Sequence, residues 1–136
     1  MVSWSLHHVN LNAHNVAESA KFFGEILGLD GGRSRDAIAG VTSNAKTGAY
    51  YFGEGTSGLH ICRPDLMLAL KHNMPINPSV GGHVAITVQD LDAVKRRLDA
   101  VGIVYADPGS WAIAGLRQIY VCDPSMNVIE LNQIVG

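Results

Sequence analysis

Gly81-Gly82-His83-Val84-Ala85-Ile86-Thr87-Val88-Gln89-Asp90-Leu91-Asp92 reads as a strand that runs straight into a capped helix. Val84, Ile86 and Val88 alternate with His83, Ala85 and Thr87, the period of two expected when one face of a strand lies in a core. The Gly pair opens the strand. Asp90 closes it as an N-cap, ahead of Leu91, Val94, Leu98 and Val101 at helical spacing. An imidazole, His83, therefore stands at the head of the strand on the face opposite the Val/Ile/Val stripe.

The N-terminal stretch Leu6-His7-His8-Val9-Asn10-Leu11-Asn12 has the same design. Val9 and Leu11 form one face; His8, Asn10 and Asn12 form the other. Asn15 caps a helix carrying Val16, Ala20, Phe23 and Leu27 on one stripe, with Gly28 as its stop. Aligned with the opening stretch, His8 falls on His83, Leu11 on Ile86 and Asn15 on Asp90. A strand, a capped helix and a Gly stop are written twice, in one order, with a His at the same place.

The repeat continues. The segment 31–40 is rich in Gly and charge and has room for a short edge strand. Gly48-Ala49-Tyr50-Tyr51-Phe52 is aromatic and strand-like, and Leu59-His60-Ile61-Cys62 follows a tight Gly-rich connection. In the second half, Leu116-Arg117-Gln118-Ile119-Tyr120-Val121-Cys122 matches the aromatic strand. Asp123-Pro124-Ser125-Met126-Asn127 is a turn by composition, and Val128-Ile129-Glu130-Leu131-Asn132 is the last strand. His60 and Glu130 occupy equivalent positions. Each half reads β-α-β-β-β: the first spans about 1–62, the second about 81–136. The linker 63–80 holds a short helical piece (Leu66, Met67, Leu70) and a Pro/Asn-rich connector.

Bulk composition narrows the function. The chain has 136 residues, 47% hydrophobic and 16% charged, so it builds one core-forming domain with sparse surface charge. A net charge of −2 with scattered Lys and Arg speaks against nucleic acid or an anionic membrane as partner. The apolar runs are too short to span a bilayer, and Met1-Val2-Ser3-Trp4 lacks a signal-peptide core; a cytoplasmic protein is expected. Cys62 and Cys122 form no CxxC pair and read as free thiols.

Four motifs then carry a resemblance: Leu6-His7-His8-Val9-Asn10-Leu11, Gly58-Leu59-His60-Ile61, Gly82-His83-Val84-Ala85-Ile86, and Asp123-Pro124-Ser125-Met126-Asn127-Val128-Ile129-Glu130-Leu131. In this order the chain resembles the vicinal oxygen chelate superfamily, which includes glyoxalase I, bleomycin-resistance proteins, methylmalonyl-CoA epimerase and extradiol dioxygenases. Met126 stands where Gly is usual in the last motif. The resemblance covers nearly the whole chain. It implies an α+β fold: two tandem βαβββ modules forming a curved, mostly antiparallel eight-stranded sheet around a metal-binding concavity, with helices outside. It also implies a homodimer.

The same resemblance makes His8, His60, His83 and Glu130 the ligands of a divalent metal, each from the first or last strand of a module. A single His at a strand start is usually a hydrogen-bonded structural residue, but four ligand-type residues recurring at equivalent positions point to a metal. Three imidazoles and one carboxylate suit Zn, Ni, Mn or Fe and leave room for water or substrate oxygens. Glu130 and His60 are the candidate catalytic groups. Glyoxalase I typically carries Glu or Gln where this chain has His60, so Glu130 is left as the carboxylate able to move a proton.

The first expectation is a lyase or isomerase acting on a small oxygenated metabolite chelated to the metal. The second is an Fe(II) ring-cleaving dioxygenase, with His8, His83 and Glu130 as a facial triad and His60 as a further imidazole. The third is a non-enzymatic binding cup of the bleomycin-resistance type, which needs no metal. Arg117 is a candidate for holding a substrate carboxylate or phosphate. Tyr50, Tyr105, Trp111 and Tyr120 are candidate pocket walls, and the apolar loop Gly109-Ser110-Trp111-Ala112-Ile113-Ala114-Gly115 either closes over a ligand or packs on a second subunit. His7 has the parity of a core-side or edge residue; His14 and His72 read as surface residues.

Overall fold

The computed structural model describes residues 1–40, 48–122, 124 and 126–136. Asp123 and Ser125, in the turn expected before the last strand, lie outside the described residues. The elements follow the repeat. The first set is β1 (Trp4–Asn12), α1 (Val16–Lys21) running into a π-helical turn (Phe22–Ile26), β2 (Arg33–Ser34), a 3₁₀ turn (Arg35–Ala37), β3 (Ala49–Phe52) and β4 (Gly58–Cys62). After the short α2 (Leu68–Lys71), the second set is β5 (His83–Val88), α3 (Leu91–Ala100), β6 (Tyr105–Gly109), β7 (Leu116–Cys122) and β8 (Val128–Ile134).

The strands form one eight-stranded mixed sheet in the order β2-β3-β4-β1-β5-β8-β7-β6. β1 pairs antiparallel with β5 at the centre. Each first strand lies parallel to the last strand of its own set, β1 with β4 and β5 with β8, and the remaining pairs are antiparallel. The two-fold logic of the sequence repeat is thus the two-fold logic of the sheet.

The caps are where the side chains allow them. Asn15 accepts from the Glu18 N–H at 3.2 Å, and Asp90 accepts from the Ala93 N–H at 2.9 Å, each satisfying a donor that an α-helix leaves open. Gly28 and Gly102 adopt positive φ after the helices, as stop residues do.

One face of the sheet carries the helices. Val88, Leu91 and Ile119 form a buried cluster with Ile86, Val94, Leu98 and Leu131 under α3. Ala13, Phe52 and Ile61 form its counterpart beside Val16 and Phe23 of the α1 region. The residues between these stripes face the other way, and register aligns them. Asn10 sits opposite both His60 and His83, and Ala85 sits opposite both His8 and Glu130. The linker is more than a connector. Leu68 and Met74 pack on Ala106 and Tyr120, so α2 and its flanks cover part of the inner face.

Candidate metal centre

β1 carries a bulge between Leu6 and His8, which inserts His7 as an extra residue. Strict alternation would place His7 across the strand from His8. Instead both are buried and their Nδ1 atoms lie 2.8 Å apart, so one ring donates to the other. His8 Nε2 points inward, 3.2 Å from His83 Nε2 and 3.6 Å from Glu130 Oε2. His83 Nε2 is 3.2 Å from the same oxygen. On the far side of its ring, His83 Nδ1 donates to the Pro78 carbonyl at 2.7 Å. That bond fixes the tautomer that leaves Nε2 as a lone pair.

Glu130 is 1% exposed. Its Oε1 accepts from Gln118 Nε2 at 3.0 Å and from Asn132 Nδ2 at 2.7 Å, while the Thr87 hydroxyl donates to Asn132 Oδ1 at 2.7 Å and orients that side chain. Oε2 is left to the two imidazoles. Burial alone would push this carboxyl up; the electrostatic pull of the His8 and His83 rings and the bond from Asn132 outweigh it and hold the carboxyl below its usual range. The three atoms that other side chains leave over are two imidazole lone pairs and one carboxylate oxygen, and they converge. This donor set fits a divalent cation of the Zn, Mn, Fe or Ni type.

His60 is not part of that convergence among the described residues. Its ring is sandwiched between Tyr51, 3.7 Å away and nearly parallel, and His8, 3.9 Å away. Its Nε2 donates to the Thr56 carbonyl at 2.6 Å. The expected fourth ligand is therefore stacked beside the other three in this arrangement. Burial, and next the neighbouring His8, lower its pKa to about 2; burial, with His83 and His7, lowers that of His8 to about 4, against the pull of Glu130.

Both shifts tie stability to pH. Unfolded imidazoles take up protons near pH 6.5, whereas the folded chain resists them to much lower pH, so stability is full above pH 6.5 and falls below it. Chelator-treated protein is expected to lose about 2 kcal/mol between pH 6.5 and 5.5 from His8 and His60 together. Urea denaturation at the two pH values measures this, and equal midpoints would contradict it.

A cavity of about 380 Å³ opens over the three converging residues. Trp111 and Tyr120 line it, the Trp111 indole N–H donating to the Tyr120 hydroxyl at 3.2 Å. The loop around Trp111, Ala112 and Ile113 forms part of the wall. Three other candidates lie away from the cavity. Arg117 shares a strand face with Ile119, on the helix side, and its guanidinium forms a two-point pair with Asp92 of α3 at 2.8 and 3.3 Å. It does not reach the cavity; its neighbour Gln118 does. Tyr50 shares the helix-side face with Phe52, and Tyr51 takes the inward position. Tyr105 likewise packs under α3.

Sequence reasoning missed several wall residues. His72 lines the cavity beside Trp111, ring centroids 5.0 Å apart, and Arg35 and Cys62 line it near Tyr51. Gln118 was within reach of a parity argument, being two residues from Tyr120 on its strand.

Comparison with known proteins agrees with this architecture. The profile of the Glyoxalase/Bleomycin resistance protein/Dioxygenase superfamily matches residues 5–131. A protein of Arabidopsis thaliana called Glyoxylase I 4 is 30% identical over 132 residues, 93% of this chain and 69% of that one. Among solved structures, methylmalonyl-CoA epimerase from Streptomyces coelicolor superposes with a TM-score of 0.61 at 15% identity, covering 96% of this chain and 97% of that one. The 2,2',3-trihydroxybiphenyl 1,2-dioxygenase of Sphingomonas wittichii gives 0.54 at 15% identity, over 95% of this chain and 42% of that one. At these identities the structural likeness speaks for the fold.

Proposed function

Because the chain belongs to the Glyoxalase/Bleomycin resistance protein/Dioxygenase superfamily, we infer that it is a divalent-metal-dependent enzyme acting on a small oxygenated metabolite. The observation that carries this reading is the convergence of His8 Nε2, His83 Nε2 and Glu130 Oε2 beneath an open cavity. A divalent ion held by these three would polarise neighbouring oxygens of the substrate, and iron would add oxygen chemistry.

The state of Glu130 helps to choose the reaction. Two amide donors hold Oε1, the group is fully buried, and its proton affinity is lowered. A carboxylate so held is a good anchor and a poor base. This weakens the reading in which Glu130 shuttles a substrate proton. Two imidazoles and one carboxylate with open positions beside them suit a ring-cleaving dioxygenase, which joins O₂ to a catechol-like ring. His60, Tyr51 and Tyr120 supply aromatic walls for such a ring. The Tyr120 hydroxyl keeps its proton to unusually high pH because it is buried and faces Glu130. A lyase or isomerase stands as the second reading, favoured by the 30% identity to the protein called Glyoxylase I 4.

Metal analysis decides first. About one divalent ion per chain is expected in protein purified without chelator. Iron-loaded protein should consume O₂ with catechols; zinc-, nickel- or manganese-loaded protein should instead turn over 2-oxoaldehyde adducts or epimerisable acids if the second reading holds. Protein that takes up no metal under any loading condition would leave the cavity as a binding cup and sink both enzyme readings.

A further inference from the structure

His8 and His83 present the same atom, Nε2, to the metal-ligand group, but what stands behind each ring differs. His83 Nδ1 donates to the Pro78 carbonyl at 2.7 Å, and a carbonyl oxygen can only accept. His8 Nδ1 lies 2.8 Å from His7 Nδ1, and an imidazole nitrogen accepts or donates according to where its own proton sits. The bulge between Leu6 and His8 brings the two rings together. Their centroids are 5.1 Å apart and their planes are inclined at 77°, so they meet at an edge and do not stack. Both residues are buried, His7 with 6% exposure and His8 with 3%.

One of the two possible arrangements leaves His8 able to hold a cation. If His7 Nδ1 donates, His8 Nδ1 accepts, and the neutral His8 ring carries its proton on Nε2, the atom 3.2 Å from His83 Nε2 and 3.6 Å from Glu130 Oε2. A protonated ring nitrogen has no lone pair to give. If instead His8 Nδ1 donates, His7 Nδ1 accepts, the neutral His7 ring keeps its proton on Nε2, and His8 Nε2 is a lone pair. The same bond governs how the ring is turned. Stacking of His8 on His60 at 3.9 Å fixes the plane of the ring but permits a half-turn about Cβ–Cγ, which would carry Nε2 away from Glu130. A hydrogen bond at Nδ1 opposes that half-turn.

We propose that His7 is a positioning residue of the metal centre: its Nδ1 accepts the His8 Nδ1 proton and so fixes the tautomer and the ring orientation that aim the His8 Nε2 lone pair at the ligand atoms of His83 and Glu130. This rests on the metal-dependent reading above. His7 touches neither substrate nor metal in this assignment; it acts through His8. A group behind a ligand usually changes metal affinity by about 10- to 100-fold, which sets the size of the expected effect. Without an acceptor at that place, a buried His8 Nδ1–H would be left unpaired, and the ring would favour the tautomer that cannot bind.

Two substitutions, His7→Asn and His7→Leu, separate this role from packing. The two side chains have a similar branched shape, but only Asn can place an acceptor, Oδ1, where the His7 Nδ1 stands. Zinc affinity, measured by competition with a fluorescent chelator, should fall about 10- to 100-fold in His7→Leu and stay within about threefold of native in His7→Asn. Nitrogen-15 spectra of the zinc-loaded native chain should show His8 protonated at Nδ1 and His7 protonated at Nε2, a readout that needs no variant to fold. A His7 that only fills space would weaken zinc binding alike in both variants, so equal affinity of the two overturns the assignment and spares the metal centre. A proton on His7 Nδ1 in the zinc-loaded chain does the same. If the native chain takes up no zinc, the metal reading fails and the positioning role falls with it.

Discussion

Glu130→Gln is expected to weaken divalent-metal binding by more than about 100-fold, beyond the range that changes behind a ligand usually produce. The substitution keeps shape and volume and removes the one anionic donor of the three. Oε2 faces His8 and His83 at 3.6 and 3.2 Å, and an amide there offers either a neutral oxygen or an N–H that repels a cation. Nothing else among the described residues replaces the lost charge, because Asp65, the other carboxylate of the cavity lining, is occupied by Lys71. The variant should still fold, since a buried carboxylate costs more to desolvate than the amide that takes its place. Competition with a fluorescent chelator, beside circular dichroism of the metal-free variant, separates these effects. Native-like affinity in a folded Glu130→Gln protein would remove Glu130 from the ligand set.

Where the sequence alternated cleanly, it could be read to the correct face. His83 and Glu130 are flanked by Val84, Ile86, Ile129 and Leu131, and both point to the cavity as parity requires. The caps at Asn15 and Asp90 were legible because a capping oxygen acts within three residues of itself. Reading failed where the pattern carries no phase. Tyr50, Tyr51 and Phe52 are all aromatic, so nothing local says which faces inward; pairing of Tyr51 with His60 settles it. The bulge at His7 is equally silent in sequence, since it exists only relative to β5. Arg117 misled by its chemistry, although its spacing from Ile119 already assigned it to the helix side. His60 recurs where a ligand is expected, but stacking on Tyr51 and the bond to Thr56 are tertiary facts. The role of 63–80 was hidden for the same reason: a Pro/Asn-rich composition marks irregular chain and does not say what that chain packs against.

Gly82→Ala should destabilise the protein by about 3 kcal/mol or more, and Gly81→Ala by only about 1–2 kcal/mol. Both glycines have positive φ, so both replacements carry the backbone penalty of an L-residue in the left-handed region. They differ in space. A Cβ on Gly81 would meet nothing within 4 Å, whereas one on Gly82 would fall 2.3 Å from the Asn10 carbonyl oxygen on the neighbouring strand. That overlap is relieved only by moving β1 and β5 apart at the point where they pair Asn10 with His83. The two strands carry His8 and His83, whose Nε2 atoms must stay within about one coordination sphere of each other. The Gly82→Ala protein should therefore lose metal affinity along with stability, and the Gly81→Ala protein should lose stability alone. Thermal unfolding of both variants, with and without zinc, reads the difference: the zinc-induced rise in Tm should persist in Gly81→Ala and shrink in Gly82→Ala. Equal rises in the two would mean that the close approach at Gly82 serves the strand pairing and has no bearing on the spacing of the two histidines.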